Sequence, residues 1–273
     1  MQKIKLFFSF ILVFTSIISV AQHVEYKEIK DVPYYSSSSD AYINDRCKVD
    51  VYYPTNKKSK ATVVWFHGGG LTGGAKELPI YLKNKELTII GVGYRLSPKV
   101  KVAEIIEDAA QAIAWTFQNV EKYGGSKDKI ILSGHSAGGY LVTMVGLNPA
   151  YLQKHQLSNQ DILGVVPFSG QAITHFTARK EQGFTELQPT VDSLAPLFWV
   201  NKNSAPFLFI TGDRELEMVG RYEENAYLVR MLKLVGHQDA KLLELAGYGH
   251  DMAYPAFPLL INEVNRLIDQ AKK

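Results

Sequence analysis

The sequence predicts an α/β fold, a mostly parallel central sheet with helices on both faces and an inserted cap segment. Three observations lead there. Short apolar, β-rich runs alternate with longer amphipathic stretches along most of the 273 residues, the pattern of a sheet covered on both sides. The pentapeptide Gly134-His135-Ser136-Ala137-Gly138 stands between a strand-like run and a buried, helix-like run. Downstream of that serine come first a cluster of carboxylates and then a histidine, His250, just after the loop glycines Gly247 and Gly249.

Taken in order, 24–29 and 47–53 read as opening antiparallel strands, and 62–66 and 87–94 as buried strands. Residues 102–122 form a long amphipathic helix ended by Gly124-Gly125. The strand 129–133 then leads into the serine turn and the apolar helix that starts after it. Two further buried strands follow at 162–168 and 207–211, then a helix at 221–235 stopped by Gly236, a last strand at 240–245 and a closing helix at 256–272. Residues 171–205 break the rhythm. A long insertion at the carboxyl edge of a parallel sheet is where a lid or substrate-binding cap belongs.

Composition sets the bounds. With 46% hydrophobic and 21% charged residues, the chain has the makeup of an ordinary globular protein with a full core. Lys3 and Lys5 precede an apolar run, residues 6–20, with the small residues Ser19 and Ala21 at the −3 and −1 positions of a cleavage site. This predicts a signal peptide over 1–21, cleaved before Gln22, and hence an exported protein, periplasmic or secreted, with no stable membrane anchor. Loss of the two lysines takes the formal charge from +3 to +1, so charge points to neither nucleic acid nor an anionic surface as partner. The lone cysteine, Cys47, allows no internal disulfide and reads as a half-buried thiol in a strand.

A serine hydroxyl attacks a carbonyl only when a base takes its proton, a carboxylate orients that base, and N–H donors hold the oxyanion. Ser136, on a strand-to-helix turn, is the expected nucleophile. His250, in the loop after the last strand, is the expected base. His237 lies between a helix and that strand, at the opposite end of a parallel sheet, and reads as a surface residue. Asp213, Glu215 and Glu217 follow the strand 207–211, and any of the three can reach His250. His67-Gly68-Gly69-Gly70 follows the strand 62–66 directly. The N–H groups of Gly69 and Gly70, with that of Ala137, are the expected oxyanion donors, and His67 is expected to orient this loop rather than act as base.

On His67-Gly68-Gly69-Gly70, Gly134-His135-Ser136-Ala137-Gly138-Gly139, Gly212-Asp213-Arg214-Glu215 and Gly249-His250, the chain resembles the α/β hydrolases of the esterase/lipase type over nearly all of residues 22–273, a single domain. It is similar to bacterial carboxylesterases with an H-G-G-G loop: the hormone-sensitive-lipase-like group and, more closely, the acetylxylan/feruloyl esterase-like (BD-FAE-like) group. The resemblance places the acid three residues after the glycine that ends its strand. That position is Glu215, where aspartate is usual, and Asp213 is the alternative. His135 stands where the lipase-like group commonly has aspartate, and residues 22–46 are too few for that group's helical cap. Both departures imply the BD-FAE-like branch and an open site. The implied activity is hydrolysis of carboxylic esters, of short acyl groups or of acetyl or feruloyl groups on a polysaccharide, with no metal or organic cofactor. The alternatives are a serine peptidase or amidase of the same fold, or a silent hydrolase fold that binds a glycan or a protein.

Overall fold

The computed structural model describes residues 23–218 and 220–272. The expected signal segment, residues 1–21, lies outside the described residues. Eight strands form one sheet in the order β1-β2-β4-β3-β5-β6-β7-β8. They are β1 (Tyr26–Pro33), β2 (Lys48–Pro54), β3 (Thr62–Phe66), β4 (Thr88–Val92), β5 (Ile130–His135), β6 (Gly164–Phe168), β7 (Phe207–Gly212) and β8 (Ala240–Leu245). β2 pairs antiparallel with β1 and β4, and every other pairing is parallel. The helices are α1 (Ala41–Arg46), α2 (Val102–Asn119), α3 (Ala137–Leu147), α4 (Pro149–Gln153), α5 (Phe176–Glu181), α6 (Arg221–Leu234) and α7 (Ala253–Ala271). The expected strands and long helices are all present within a few residues. The short helices α1, α4 and α5 were not expected, because five or six residues are too few to display a helical period.

Strand alternation sorts the core. In β3, Val64 and Phe66 join the cluster under α2, α3 and α6, while Val63 and Trp65 join the one under α7. A strand whose alternate side chains are both buried reads as one continuous apolar run, as Thr62–Phe66 does. Helix α3 is buried at all eleven positions, because it packs against the sheet on one side and α2 on the other. Its first turn comes so near β3 that a Cβ on Gly138 would lie 2.0 Å from the Phe66 carbonyl oxygen. Only glycine fits there.

The turn after β4 is held to α2 by a buried ion pair. Asp108 is fully buried and accepts from Arg95 through its Nε and Nη2, each at 2.8 Å, and from the Tyr35 hydroxyl. The Arg95 backbone N–H donates to the same carboxylate at 3.1 Å. Cys47 adjoins this cluster. It is 1% exposed rather than half-buried, and it caps α1 instead of lying in β2. Burial, with the Asp108 charge, pushes its thiol up to about 12, so it is not nucleophilic at neutral pH. Among the described residues no helix is long and apolar enough to cross a membrane.

Arg95→Met leaves the Asp108 charge buried without its counter-ion. The expected loss is about 3–5 kcal/mol, read from urea unfolding followed by circular dichroism. A loss below 1 kcal/mol would mean that the tyrosine and backbone donors suffice.

Candidate active site

Ser136 sits between β5 and α3 at φ 54°, ψ −112°. A non-glycine residue in this region carries strain of about 1–3 kcal/mol and persists only where its surroundings fix it. Here the Ser136 N–H donates to the Phe168 carbonyl at 2.8 Å, and the Ser136 carbonyl accepts from the Tyr140 N–H at 2.9 Å. The turn is thus tied to β6 on one side and to the first turn of α3 on the other. Its hydroxyl is aimed at the loop after β8, where His250 Nε2 lies 2.8 Å from Ser136 Oγ.

The other ring nitrogen, His250 Nδ1, lies 2.6 Å from Glu217 Oε1. The expectation of Glu215 as the acid is therefore corrected, and Asp213 is not the partner either. The reason is local. After β7 the chain makes one helical turn, with the Glu217 N–H donating to the Asp213 carbonyl at 2.8 Å. This turn carries the fourth residue, not the second, back beneath the histidine. Glu215 is exposed. Asp213 holds the base loop instead: its Oδ2 accepts from the Gly247 N–H at 2.7 Å, and its N–H donates to the Tyr248 carbonyl at 2.6 Å. A spacing argument cannot detect a single turn of helix inside a loop.

The Glu217 side chain is 1% exposed. Burial alone would raise its pKa. Hydrogen bonds from His250, from the Ser169 hydroxyl and from the Met218 N–H outweigh burial and bring it to about 2. The Gly212 N–H, at 3.1 Å, is a further donor. A carboxylate accepting this many bonds stays ionised and can hold the imidazole with its proton on Nδ1 and a free lone pair toward the serine. Nothing in the sequence around Ser169 pointed to this contact. The residue follows β6 directly at φ 49°, and its carbonyl accepts in turn from Arg221.

The glycine loop lies on the other side of the serine. A Cβ on Gly68 would lie 3.5 Å from Ser136 Cβ, so the loop abuts the nucleophile. Gly69 and Gly70 have φ of 113° and 63°, conformations open to glycine and costly for other residues. The Gly69 carbonyl accepts from the Thr72 and Gly73 N–H groups, and that of Gly70 from the Thr177 hydroxyl at 2.6 Å. Among the described residues the N–H groups of Gly69 and Gly70 donate to no protein acceptor. The N–H of Ala137 opens α3, where a helix has no internal acceptor for it. His67 is 3% exposed and stacks on Tyr94, with centroids 4.2 Å apart, and the Tyr94 hydroxyl donates to its carbonyl at 2.7 Å. Burial pushes its pKa down to about 4, so it is a neutral part of the loop's support.

The insertion 171–205 is bolted down at several points. Phe176 packs against Gly70, where an added Cβ would lie 3.0 Å from its ring. Glu181 accepts from Ser97 and from the Val102 N–H that opens α2, and the Tyr140 hydroxyl donates to the Leu194 carbonyl at 2.6 Å. The segment forms a fixed wall beside the oxyanion loop. His237 differs from expectation in one respect. It lies at the far end of the sheet as expected, but it is 6% exposed, not on the surface, because its Nε2 bonds the Ala205 carbonyl at 3.1 Å and its Nδ1 accepts from the Asp239 N–H. A cleft of about 670 Å³ lined by Phe117, Ile162, Pro206 and Leu267 also lies at that amino end of the strands, away from Ser136.

Two outcomes follow for the acid. Glu217→Gln should slow phosphonylation of Ser136 by a fluorophosphonate by about 10⁴-fold, and Glu215→Gln should leave it within twofold. A larger loss in Glu215→Gln than in Glu217→Gln would return the acid to Glu215. Because the folded pKa of Glu217 is lowered from 4.5 to about 2, its ionised form contributes stability above pH 4.5 that is lost as pH falls toward 2. The stability gap between wild type and Glu217→Gln, measured by denaturant unfolding, should narrow across that window.

The comparisons agree with this architecture. Esterase LipC of Mycobacterium tuberculosis (strain ATCC 25618 / H37Rv) is 28% identical over 242 residues, covering 77% of this chain and 60% of that protein. The chain thus spans less than two thirds of the length of the curated relatives that it matches first. Among solved structures, esterase B from Lactobacillus rhamnosis superposes with a TM-score of 0.72 at 20% identity, covering 92% of this chain and 91% of that one. A truncated carbohydrate esterase from gut microbiota gives 0.70 at 18% identity, covering 90% and 97%. At such identities these likenesses show the fold, that of the α/β hydrolases. The BD-FAE family model matches residues 49–225, more than half of the chain, and the protein belongs to that family of α/β hydrolases.

Proposed function

We propose that the protein is a serine carboxylesterase, and that its substrates are short-chain acyl esters or acetyl or feruloyl esters carried on a polysaccharide. One observation carries the reading: the continuous relay from Ser136 Oγ through His250 to the buried carboxylate of Glu217. In the first step His250 Nε2 takes the hydroxyl proton as Ser136 Oγ bonds to the ester carbonyl carbon. The oxyanion that forms is held by the N–H groups of Gly69, Gly70 and Ala137. Such donors are worth about 3 kcal/mol each in the transition state. The tetrahedral intermediate collapses, the C–O bond to the alcohol breaks, and His250 returns its proton to the leaving oxygen. Water then enters by the same route, with His250 as base, and releases the carboxylic acid and free serine. Glu217 keeps the proton on Nδ1 throughout and stabilises the transient imidazolium.

The substrate class rests on the family, on the esterase and carbohydrate-esterase names of its structural neighbours, and on an N-terminal region with the features of an export signal. An exported enzyme meets polymer-bound esters outside the cytoplasm.

The experiment is hydrolysis of p-nitrophenyl esters from acetate to octanoate, and of a feruloyl ester, by wild type and Ser136→Ala. Activity should disappear in the variant, by about 10⁶-fold in kcat. Cleavage of a matched anilide but not of the ester would favour an amidase, and equal rates in both proteins would overturn the relay. Gly70→Ala should lower kcat strongly, since it forces a Cβ to φ 63° and against Phe176.

A further inference from the structure

His135 precedes the nucleophile, and nothing in the proposed reaction uses it. It ends β5, so the backbone that positions Ser136 also positions this ring. Its Nε2 lies 2.8 Å from the backbone carbonyl oxygen of His250. A carbonyl only accepts, so Nε2 carries the proton and donates. The two imidazoles lie 4.9 Å apart between centroids, tilted by 40°. On its other side the ring packs on the oxyanion loop, where a Cβ on Gly68 would lie 3.3 Å from His135 Nδ1. One imidazole thus touches the oxyanion loop and the base, from the residue next to the nucleophile.

We propose that His135 is a positioning residue: its Nε2–H fixes the backbone of His250, and so the distance from base to nucleophile. The surrounding structure gives this bond work to do. The loop carrying His250 has Gly247 and Gly249 on either side of Tyr248, and Gly247 has φ 81°. Asp213 ties down its entry, through the Gly247 N–H and the Tyr248 carbonyl. Glu217 holds the far end of the imidazole. The His250 carbonyl follows both glycines, and His135 is its hydrogen-bond donor. The titratable and charged groups facing His135 are His250, Glu217 and Arg221; burial, then the neighbouring His250, lowers its pKa. In the neutral ring Nδ1 is a lone pair turned to Gly68, so no second cation stands beside the imidazolium that forms in each turnover.

The bond belongs to Nε2, and this makes the test specific. A glutamine amide nitrogen can stand where Nε2 stands, and an asparagine amide reaches only to the Nδ1 position. His135→Gln should keep kcat for p-nitrophenyl acetate within about threefold of wild type, while His135→Asn should lower it roughly ten- to hundredfold. KM should change little in both. Equal loss in the two variants, or no loss in asparagine, would overturn the proposal. The turnover readout rests on the esterase reading, so a second one is independent of it. The His250 Nδ1 proton, bonded to Glu217, should give a downfield proton resonance that stays sharp in wild type and His135→Gln and broadens by exchange in His135→Asn. An unbroadened line in the asparagine variant would overturn the positioning role even if no ester is ever cleaved. Absence of ester turnover in wild type with the expected line pattern would remove the esterase reading alone.

Discussion

The buried carboxylate of Glu217 is the interaction on which the rest of the site depends. It collects donors from the residue after β6 (Ser169), the end of β7 (Gly212), its own loop (Met218) and the loop after β8 (His250). Three neighbouring strand ends therefore converge on one ion. Its burial would be prohibitive without those bonds, because a charge taken out of water must be repaid by partners. With them, the ion is both stable and directional. The same bonds that keep it ionised point it at Nδ1, which leaves Nε2 free for the serine.

The nucleophile is held by a different kind of constraint, close backbone packing. The approach of Gly138 to Phe66 lets α3 start directly above the sheet, and Ser136 takes its strained conformation because β6 and α3 grip the peptide on both sides. Parallel pairing places the carboxyl ends of β3, β5, β7 and β8 along one edge. The four loops that leave those ends bring together the N–H groups of Gly69 and Gly70, the Ser136 hydroxyl, the Glu217 carboxylate and the His250 imidazole. The general rule that open parallel sheets work at their carboxyl edge has a concrete cause here: the strands end next to one another, so loops far apart in sequence meet.

The insertion extends the same economy. Thr177 and Phe176 fix the carbonyl and the face of Gly70, Glu181 reaches the start of α2, and Tyr140, in α3, holds Leu194. The oxyanion loop is braced by a segment that also contacts the helix bearing the nucleophile. Such bracing keeps donors in place before the reaction begins, so that little reorganisation is needed as charge develops.

Much of this was legible in the residues. Continuous apolar runs such as Thr62–Phe66 marked strands buried on both faces, because burial on both sides leaves no polar alternation to read. The glycine-flanked serine marked the turn, because only glycine tolerates that approach, and His250 was marked by its place after the last strand. The acid was legible only as a cluster. Asp213, Glu215 and Glu217 are chemically interchangeable in sequence, and the helical turn that selects Glu217 starts at Asp213, whose side chain and N–H are bonded to a loop more than thirty residues away. For the same reason Ser169, Thr177 and the role of His135 were invisible: each acts through a partner distant in the chain. Amino-acid sequence by itself determined the elements and the chemistry on offer, since both follow from local periodicity and residue type. Tertiary structure decided which of the offered groups meet, since that depends on the register and ending of strands brought side by side.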